Sequence, residues 1–186
     1  MKYFGGCDVG STYTKTVILD EQGKMVASNT IKSKINSRES AELSLKNALN
    51  DAGLKEISDL SYLIGTGYGR NKVPQAQENI SEISCHAMGV HITNPEVEAI
   101  IDIGGQDVKG IAVDSDGTVK TFAMNDKCAA GTGRFFESMA NAFEVSLDEF
   151  SKLSLTAKNV IPITAQCTVF AESEVITLVG EGQPRD

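Results

Sequence analysis

The chain has 186 residues, 41% of them hydrophobic, and a formal net charge of −8 from 17 basic and 25 acidic residues. This length can bury the core of one domain or of two small lobes, and no apolar run approaches the roughly 20 residues that span a bilayer. The acidic balance provides no basic stripe to neutralise phosphates, so we expect a cytoplasmic globular protein that binds neither nucleic acid nor membrane.

Apolar strands and turn residues predict a β-meander at the start of the chain. Its three strands run from Tyr3 to Asp8, from Thr14 to Asp20 and from Met25 to Ser33. Gly10-Ser11-Thr12 makes the first turn, and Glu21-Gln22-Gly23-Lys24 makes the second.

Two helices and a strand are predicted to complete the first half. An amphipathic helix runs from Ser37 to Ala52, and Gly53 ends it. A short apolar strand from Leu60 to Thr66 leads into the glycine-rich segment Gly65 to Arg70. The second helix is predicted from Glu78 to Val90.

The pattern of the first half restarts in the second. A buried strand from Ala99 to Ile103, strands from Val108 to Val113 and from Thr118 to Met124, and a helix from about Thr132 to Phe143 follow one another. A last helix is predicted from Gln166 to Val179, and no further strand follows to complete this half. The repeat therefore predicts two lobes, residues 1–94 and 95–186, the second incomplete, with a ligand held between their first turns.

Each lobe has an acidic, glycine-rich turn after its first strand: Asp8 to Lys15, here termed phosphate loop 1, and Asp102 to Asp107, termed phosphate loop 2. Asp8 and Asp102 could hold Mg²⁺ across a cleft, because Mg²⁺ prefers one or two carboxylates plus phosphate oxygens. Backbone N–H groups, hydroxyls and one ammonium group would bind the phosphates, supplied by Gly10, Ser11, Thr12, Lys15, Gly104 and Gly105. Either loop alone could also be a plain hairpin turn.

The four cysteines show no C-x-x-C spacing, and we expect Cys7 and Cys85 to be reduced, buried thiols. Cys128 and Cys167 each precede a predicted helix, whose N-terminal dipole would favour a thiolate that binds a metal. A 4Fe-4S cluster needs four thiolates, so a symmetric dimer would have to supply two from each subunit. The alternative is that both are small buried residues or incidental loop thiols.

Six stretches, in order along the chain, resemble the activator family of 2-hydroxyacyl-CoA dehydratases, which includes the ATPase subunits of benzoyl-CoA reductases. They are Asp8 to Lys15, Gly65 to Arg70, Ser81 to Gly89, Asp102 to Lys109, Asn125 to Phe135 and Gln166 to Ile176. The run Asp-Lys-Cys-Ala-Ala-Gly-Thr-Gly-Arg-Phe, which contains Cys128, is specific to that family. The resemblance implies an α/β fold of the actin-like ATPase (ribonuclease H-like) type that binds ATP and Mg²⁺, and we expect Gly131 and Gly133 to contact the cofactor.

The resemblance also implies a homodimer that bridges one oxygen-sensitive 4Fe-4S cluster through Cys128 and Cys167. Such proteins couple ATP hydrolysis to delivery of a low-potential electron, taken from a reduced ferredoxin or flavodoxin, to a partner dehydratase or reductase. Gln106 is expected to orient the attacking water, and Asp8 or Asp102 to position Mg²⁺ or polarise that water. Glu82, His86 and Lys109 are either further site residues or surface residues of a helix or strand. A small-molecule kinase, or a nucleotide-binding module of the same fold without a cluster, is the alternative function.

Overall fold

A computed structural model describes residues 1–125, 128, 130–164 and 167–185. Outside these ranges lie Gln166, where the last helix was predicted to begin, and Asp126, Lys127 and Ala129 of the family-specific run. The described elements are β1 (Tyr3–Val9), β2 (Tyr13–Asp20), β3 (Met25–Lys32), α1 (Ser37–Asp51), β4 (Tyr62–Thr66), β5 (Glu78–Asn79), α2 (Glu82–Thr93), β6 (Ala99–Ile103), β7 (Val108–Val113), β8 (Val119–Asn125), α3 (Gly133–Ala142), α4 (Leu147–Ser154) and α5 (Thr168–Gly180). The predicted α/β class is confirmed. No helix in the described ranges combines the length and the apolar character needed to cross a membrane.

The chain folds into two compact units. The first comprises Met1–Glu98 and Ala112–Thr121, and the second comprises Ala99–Ile111 and Phe122–Asp186. The division into lobes at residues 1–94 and 95–186 stays a prediction.

The first sheet has five strands in the order β3-β2-β1-β4-β5. Strand β1 pairs antiparallel with β2 and parallel with β4, and β2 pairs antiparallel with β3, which confirms the predicted meander. In this register Asp8 lies opposite Lys15 on β2 and opposite Thr66 on β4. The sheet therefore brings the glycine-rich segment after β4 next to phosphate loop 1.

Helix α1 packs its apolar side on this sheet. It buries Ala41, Leu45 and Ala48, which recur at helical spacing, and the Asn36 side chain caps the first turn by accepting two backbone hydrogen bonds. Burial of a leucine such as Leu45 stabilises the fold by about 1.5 to 3 kcal/mol. This packing fixes the strands that carry Asp8.

The helix predicted from Glu78 to Val90 is wrong in its first turn. Glu78–Asn79 forms the short strand β5, parallel to β4, and α2 begins only at Glu82. The Ser81 side chain accepts a hydrogen bond from the Ile83 N–H and so defines the start of the helix. Pairing with β4, which a local pattern does not reveal, decides the conformation of the two residues.

The burial predicted for β6 is also wrong. Ile101 and Ile103 are 79% and 50% exposed, and Phe122 on β8 is 52% exposed. Strand β6 lies at the edge of a three-stranded sheet in the order β6-β7-β8. An apolar run predicts a strand, but it does not predict whether another layer covers both of its faces.

Helix α4 was not predicted from the sequence. Its start is a capping box, in which the Ser146 hydroxyl accepts from the Glu149 N–H and the Glu149 carboxylate accepts from the Ser146 N–H. The pattern Ser-x-x-Glu is the signal that could have found this helix.

Candidate functional site

Phosphate loop 1 is a tight turn held by backbone and side-chain hydrogen bonds. The Gly10 N–H donates to the Tyr13 carbonyl at 3.1 Å. The Ser33 hydroxyl donates to the Gly10 carbonyl at 2.7 Å, and the Ser33 N–H donates to the Thr12 carbonyl at 2.9 Å. A Cβ at Gly10 would lie 2.7 Å from the Tyr13 oxygen, so this turn requires glycine. Ser11 is exposed at the tip of the turn, while Ser33 was missed because its role depends on strand register.

Asp8 is the second-last residue of β1 and lies beside a second glycine-rich turn. Its Oδ2 lies 3.2 Å from Nζ of Lys15, whose side chain is 53% exposed. Gly67, with φ +82°, packs against the Asp8 carboxylate, and its carbonyl accepts from the Arg70 guanidinium at 3.0 Å. Arg70 also pairs with Glu82 at 3.3 Å. Glu82 therefore holds the turn that carries Gly67 instead of being an ordinary surface residue.

Two threonine hydroxyls of this region are buried without a hydrogen-bond partner in the part of the chain that the structure describes. They are Oγ1 of Thr12 in phosphate loop 1 and Oγ1 of Thr66, the β4 partner of Asp8. An unpaired buried hydroxyl costs about 1 to 3 kcal/mol, so most such groups in proteins have a partner, either protein or water. The two hydroxyls are available as donors to a phosphate oxygen.

Thr12→Val is expected to stabilise the free protein by about 1 kcal/mol while it weakens the binding of a polyphosphate by about tenfold. Valine keeps the shape of threonine but removes the hydroxyl that only a ligand would pair. Thr16→Val is the matched control, because Thr16 Oγ1 is buried and already hydrogen-bonded to Ser44 Oγ at 2.8 Å. This control should lose about 1 kcal/mol of stability. Denaturation with and without a nonhydrolysable ATP analogue measures both effects, and loss of stability in both variants would contradict the prediction.

Phosphate loop 2 shares two features with phosphate loop 1. The Gly104 N–H donates to the Asp107 carbonyl at 2.9 Å, as the Gly10 N–H donates to the Tyr13 carbonyl in loop 1. As in loop 1, the aspartate that precedes the turn lies beside a lysine of the next strand, with 3.7 Å between Asp102 Oδ2 and Lys109 Nζ. Gly105 and Gln106 complete the turn, and Gln106 is exposed.

Lys109 is not on the strand surface, which was one of the two interpretations of the sequence. Its side chain is 3% exposed, and its Nζ lies 2.7 Å from Asp107 Oδ1. A buried ammonium group needs such partners because removing it from water carries a penalty of several kcal/mol. The signal in the sequence is a shared spacing, since Asp102 precedes Lys109 by as many residues as Asp8 precedes Lys15.

The start of helix α3 is hydrogen-bonded to phosphate loop 2. The N–H groups of Gly133 and Arg134 donate to the carbonyls of Gly104 at 2.8 Å and Gly105 at 3.1 Å. These donors belong to the first turn of the helix, where backbone N–H groups have no partner within the helix. A Cβ at Gly133 would lie only 3.3 Å from the Gly104 oxygen, so glycine permits this close approach. Gly131 is exposed and has φ +77°.

Cys128 and Cys167 are both half-buried, and both belong to the second unit. Cys167 is the N-cap residue of α5, in agreement with the sequence-based expectation. Cys128 does not start a helix, because the N-cap of α3 is Thr132. The Cys128 sulfur accepts a hydrogen bond from the Ala130 N–H at 3.4 Å. Among the described residues, no group of three or more His, Cys, Asp or Glu side chains is arranged to hold a metal ion.

The other two cysteines lie in the first unit. Cys7 is fully buried in β1, and this burial raises the pKa of its thiol to about 11. The group is therefore a protonated thiol at neutral pH, which confirms the expected buried thiol. Cys85 was also expected to be buried, but it is only half-buried on α2, like its sequence neighbour His86.

The second unit also contains an apolar cavity of about 280 Å³. Side chains from the end of α3 and from α4 and α5 line it, among them Phe143, Phe150, Val175 and Leu178. None of the predicted site residues lines this cavity. The candidate chemistry lies at the phosphate loops and the cysteines instead.

The sequence pattern of the BadF/BadG/BcrA/BcrD ATPase family matches residues 6–186. The activator of lactoyl-CoA dehydratase from Anaerotignum propionicum is 47% identical over 184 residues, which cover 99% of this chain and 70% of that protein. The crystal structure of (R)-2-hydroxyglutaryl-CoA dehydratase component A from Acidaminococcus fermentans matches with a TM-score of 0.90 and 42% identity, covering 99% of this chain and 70% of that chain. The activator of the 2-hydroxyisocaproyl-CoA dehydratase from Clostridium difficile, solved with bound ADPNP, matches with a TM-score of 0.86 and 44% identity, covering 96% and 66%.

These matches extend over nearly the whole chain, whereas the chain spans only about two thirds of the length of the proteins that it matches. The two structural matches confirm the actin-like ATPase fold that the resemblance implied. They also place the described strands and helices in the framework of a protein solved with a bound ATP analogue.

Proposed function

The chain belongs to the BadF/BadG/BcrA/BcrD ATPase family, and we propose that it is an ATP-dependent activator of a 2-hydroxyacyl-CoA dehydratase or a related reductase. ATP and Mg²⁺ bind through phosphate loops 1 and 2, and ATP is hydrolysed to ADP and phosphate. Hydrolysis accompanies the transfer of one low-potential electron to the partner enzyme. The dehydratase activators to which this chain is similar support the assignment.

The observation that carries the proposal is the bonding of phosphate loop 2 to the start of helix α3. A loop that shifts as it binds phosphate moves the N-terminus of α3 through the bonds from Gly133 and Arg134 to Gly104 and Gly105. Cys128 lies in the segment that leads directly into this helix. A nucleotide-dependent shift of phosphate loop 2 would therefore move the start of α3 and, with it, the segment that contains the candidate cluster ligand Cys128.

Helix α5, which begins at the other cysteine, is bound to α3. The Ser138 hydroxyl donates to the Glu172 carboxylate at 2.6 Å and so connects the two helices. The Glu174 carboxylate accepts from the Thr164 N–H at 2.8 Å, which connects Thr164 to α5. Binding and hydrolysis of ATP would change the angle between α3 and α5 as a hinge-type switch.

The two cysteines fit an iron-sulfur cluster in donor chemistry but supply only half of its ligands. A 4Fe-4S cluster is held by four thiolates, and one chain offers Cys128 and Cys167. A homodimer in which both copies contribute this pair completes the set. When bound, the cluster would supply the low-potential electron and would take its replacement from a reduced ferredoxin or flavodoxin.

The polar groups of the phosphate loops have three proposed roles: they orient the metal, orient the attacking water and bind the phosphates. Asp8 and Asp102 would orient hydrated Mg²⁺, because each is the second-last residue of its strand and its carboxylate remains partly accessible. The exposed Gln106 orients the attacking water. The loop glycines let the backbone of each turn approach the phosphates closely, although the N–H groups of Gly10 and Gly104 close their own turns. The exposed Lys15 adds a positive charge.

Cys128→Ser is expected to abolish cluster assembly. After anaerobic reconstitution the native protein should contain about four iron and four sulfide ions per dimer, and Cys128→Ser should contain close to none, since one substitution removes two of four ligands from a dimer. Cys85→Ser is the matched control, because Cys85 is also half-buried but lies on α2 of the first unit. Iron and acid-labile sulfide analysis measures the result.

A folded native protein that assembles no cluster would reject the electron-transfer proposal. Hydrolysis of ATP with phosphate transferred to a small molecule would then favour a kinase of the same fold. Nucleotide binding without turnover would favour a binding module.

A further inference from the structure

The lysines beside the two phosphate loops differ in their freedom to move. Lys15 is 53% exposed and lies 3.2 Å from Asp8, whereas Lys109 is 3% exposed and lies 2.7 Å from Asp107. An exposed lysine exchanges partners at little cost, because water solvates its ammonium group. A buried ammonium group that left its carboxylates would be a buried charge with neither water nor an ion partner, which is strongly unfavourable. Lys15 is therefore suited to reach a ligand, and Lys109 is suited to hold the protein's own side chains.

Asp107 provides the second contact that fixes Lys109. Its carboxylate packs against Gly104, where an added Cβ would overlap Asp107 Oδ1, and its carbonyl accepts from the Gly104 N–H. Phosphate loop 1 has Tyr13 at the corresponding place. The Lys109 ammonium group thus lies beside two carboxylates, at 2.7 Å from Asp107 and 3.7 Å from Asp102.

We propose that Lys109 is a positioning residue of phosphate loop 2, which orients the Asp102 carboxylate and cancels one of the two negative charges beside the metal position. This proposal rests on the proposed function, in which Asp102 helps to hold the Mg²⁺ of ATP. Lys109, Asp102 and Asp107, here termed the trio, together have one net negative charge. Without the Lys109 ammonium group they would have two. An additional net negative charge among these three groups attracts a divalent cation and repels a polyphosphate. Lys109 therefore sets the relative affinity of phosphate loop 2 for a divalent cation and for a polyphosphate.

Charge-changing and charge-conserving variants test this relative affinity in the whole chain. Mn²⁺ affinity without nucleotide, measured by electron paramagnetic resonance, is expected to rise about tenfold in Lys109→Met and to fall about tenfold in Asp107→Asn. Affinity for a nonhydrolysable ATP analogue should change in the opposite direction. The double variant keeps the native net charge and should be close to the native protein in both measurements. Lys120→Met is the control, since Lys120 is exposed and lies 4.0 Å from Asp114.

Two results would overturn the proposal. A double variant that folds but binds the analogue as weakly as Lys109→Met would show that Lys109 contacts the phosphate itself. Native Mn²⁺ affinity in the charge-changing variants would show that the trio does not set the local charge. Asp107 is 33% exposed, so Asp107→Asn should fold and decide the question even if Lys109→Met unfolds. Native protein that binds Mn²⁺ but no analogue would reject the proposed function, while the Mn²⁺ series would still test Lys109.

Discussion

Replacing Gly67 with alanine is expected to lower the free energy of unfolding of the first unit by about 3 kcal/mol. Two costs add at this position. The backbone has φ +82°, which an alanine adopts only with strain. The new Cβ would also lie 2.8 Å from the Val9 carbonyl oxygen and would overlap Oδ1 of Asp8. Denaturant unfolding of both proteins measures the loss.

Gly23→Ala separates the two costs. Gly23, in the turn between β2 and β3, has φ +77°, but a Cβ there would meet nothing within 4 Å. Its substitution should therefore cost only the backbone strain, about 1 kcal/mol. Equal losses in the two variants would mean that the turn at Gly67 relaxes away from Asp8, against the prediction. A larger loss in Gly67→Ala would show that this turn and the Asp8 carboxylate are packed as one unit.

The elements that the sequence predicted well are those whose signals are local. The β2–β3 hairpin follows from the turn at Gly23, and helix α1 follows from the spacing of residues such as Leu45, Ala48 and Leu49. These features need no knowledge of distant parts of the chain. Helix α4 also has a local signal, the capping box of Ser146 and Glu149.

The errors concern properties that depend on distant partners. Glu78–Asn79 is a strand only because β4 lies beside it, and the exposure of Ile101 depends on what covers the edge of the second sheet. Neither property is present in a window of neighbouring residues. The boundaries of α2 and the burial of β6 were wrong for this reason.

The residues of the candidate site also differ in whether a local sequence pattern reveals them. The loop residues Asp8 and Gly10 are recognisable because acidic and glycine residues cluster in a short motif. Ser33 has no such signal, since it reaches phosphate loop 1 only through strand register, and the spacing of Lys109 from Asp102 does not reveal that Lys109 is buried. The sequence therefore reveals the residues of the two loops better than the side chains that hold these loops in place.

Asp8→Asn is expected to reduce the rate of ATP hydrolysis at least about 100-fold. Asparagine keeps the size of the side chain but removes the charge that would orient hydrated Mg²⁺ in phosphate loop 1. The cost in stability should stay below about 1 kcal/mol, because the ion partner of Asp8 is the exposed Lys15. Phosphate release with Mg²⁺ and ATP, together with thermal unfolding, measures both effects.

The contrast between activity and stability is what makes Asp8→Asn informative. Asp114→Asn is the matched control: it makes the same chemical change in an exposed aspartate that lies 4.0 Å from Lys120 and should alter neither quantity. A structural role for Asp8 alone would lower stability, because the carboxylate packs against Gly67 and a loss of packing there affects the turn. Hydrolysis at the native rate in a stable Asp8→Asn protein would remove Asp8 from the catalytic site. A slow but stable variant would instead assign the charge of Asp8 to the reaction, because its contribution to the fold would have been measured separately.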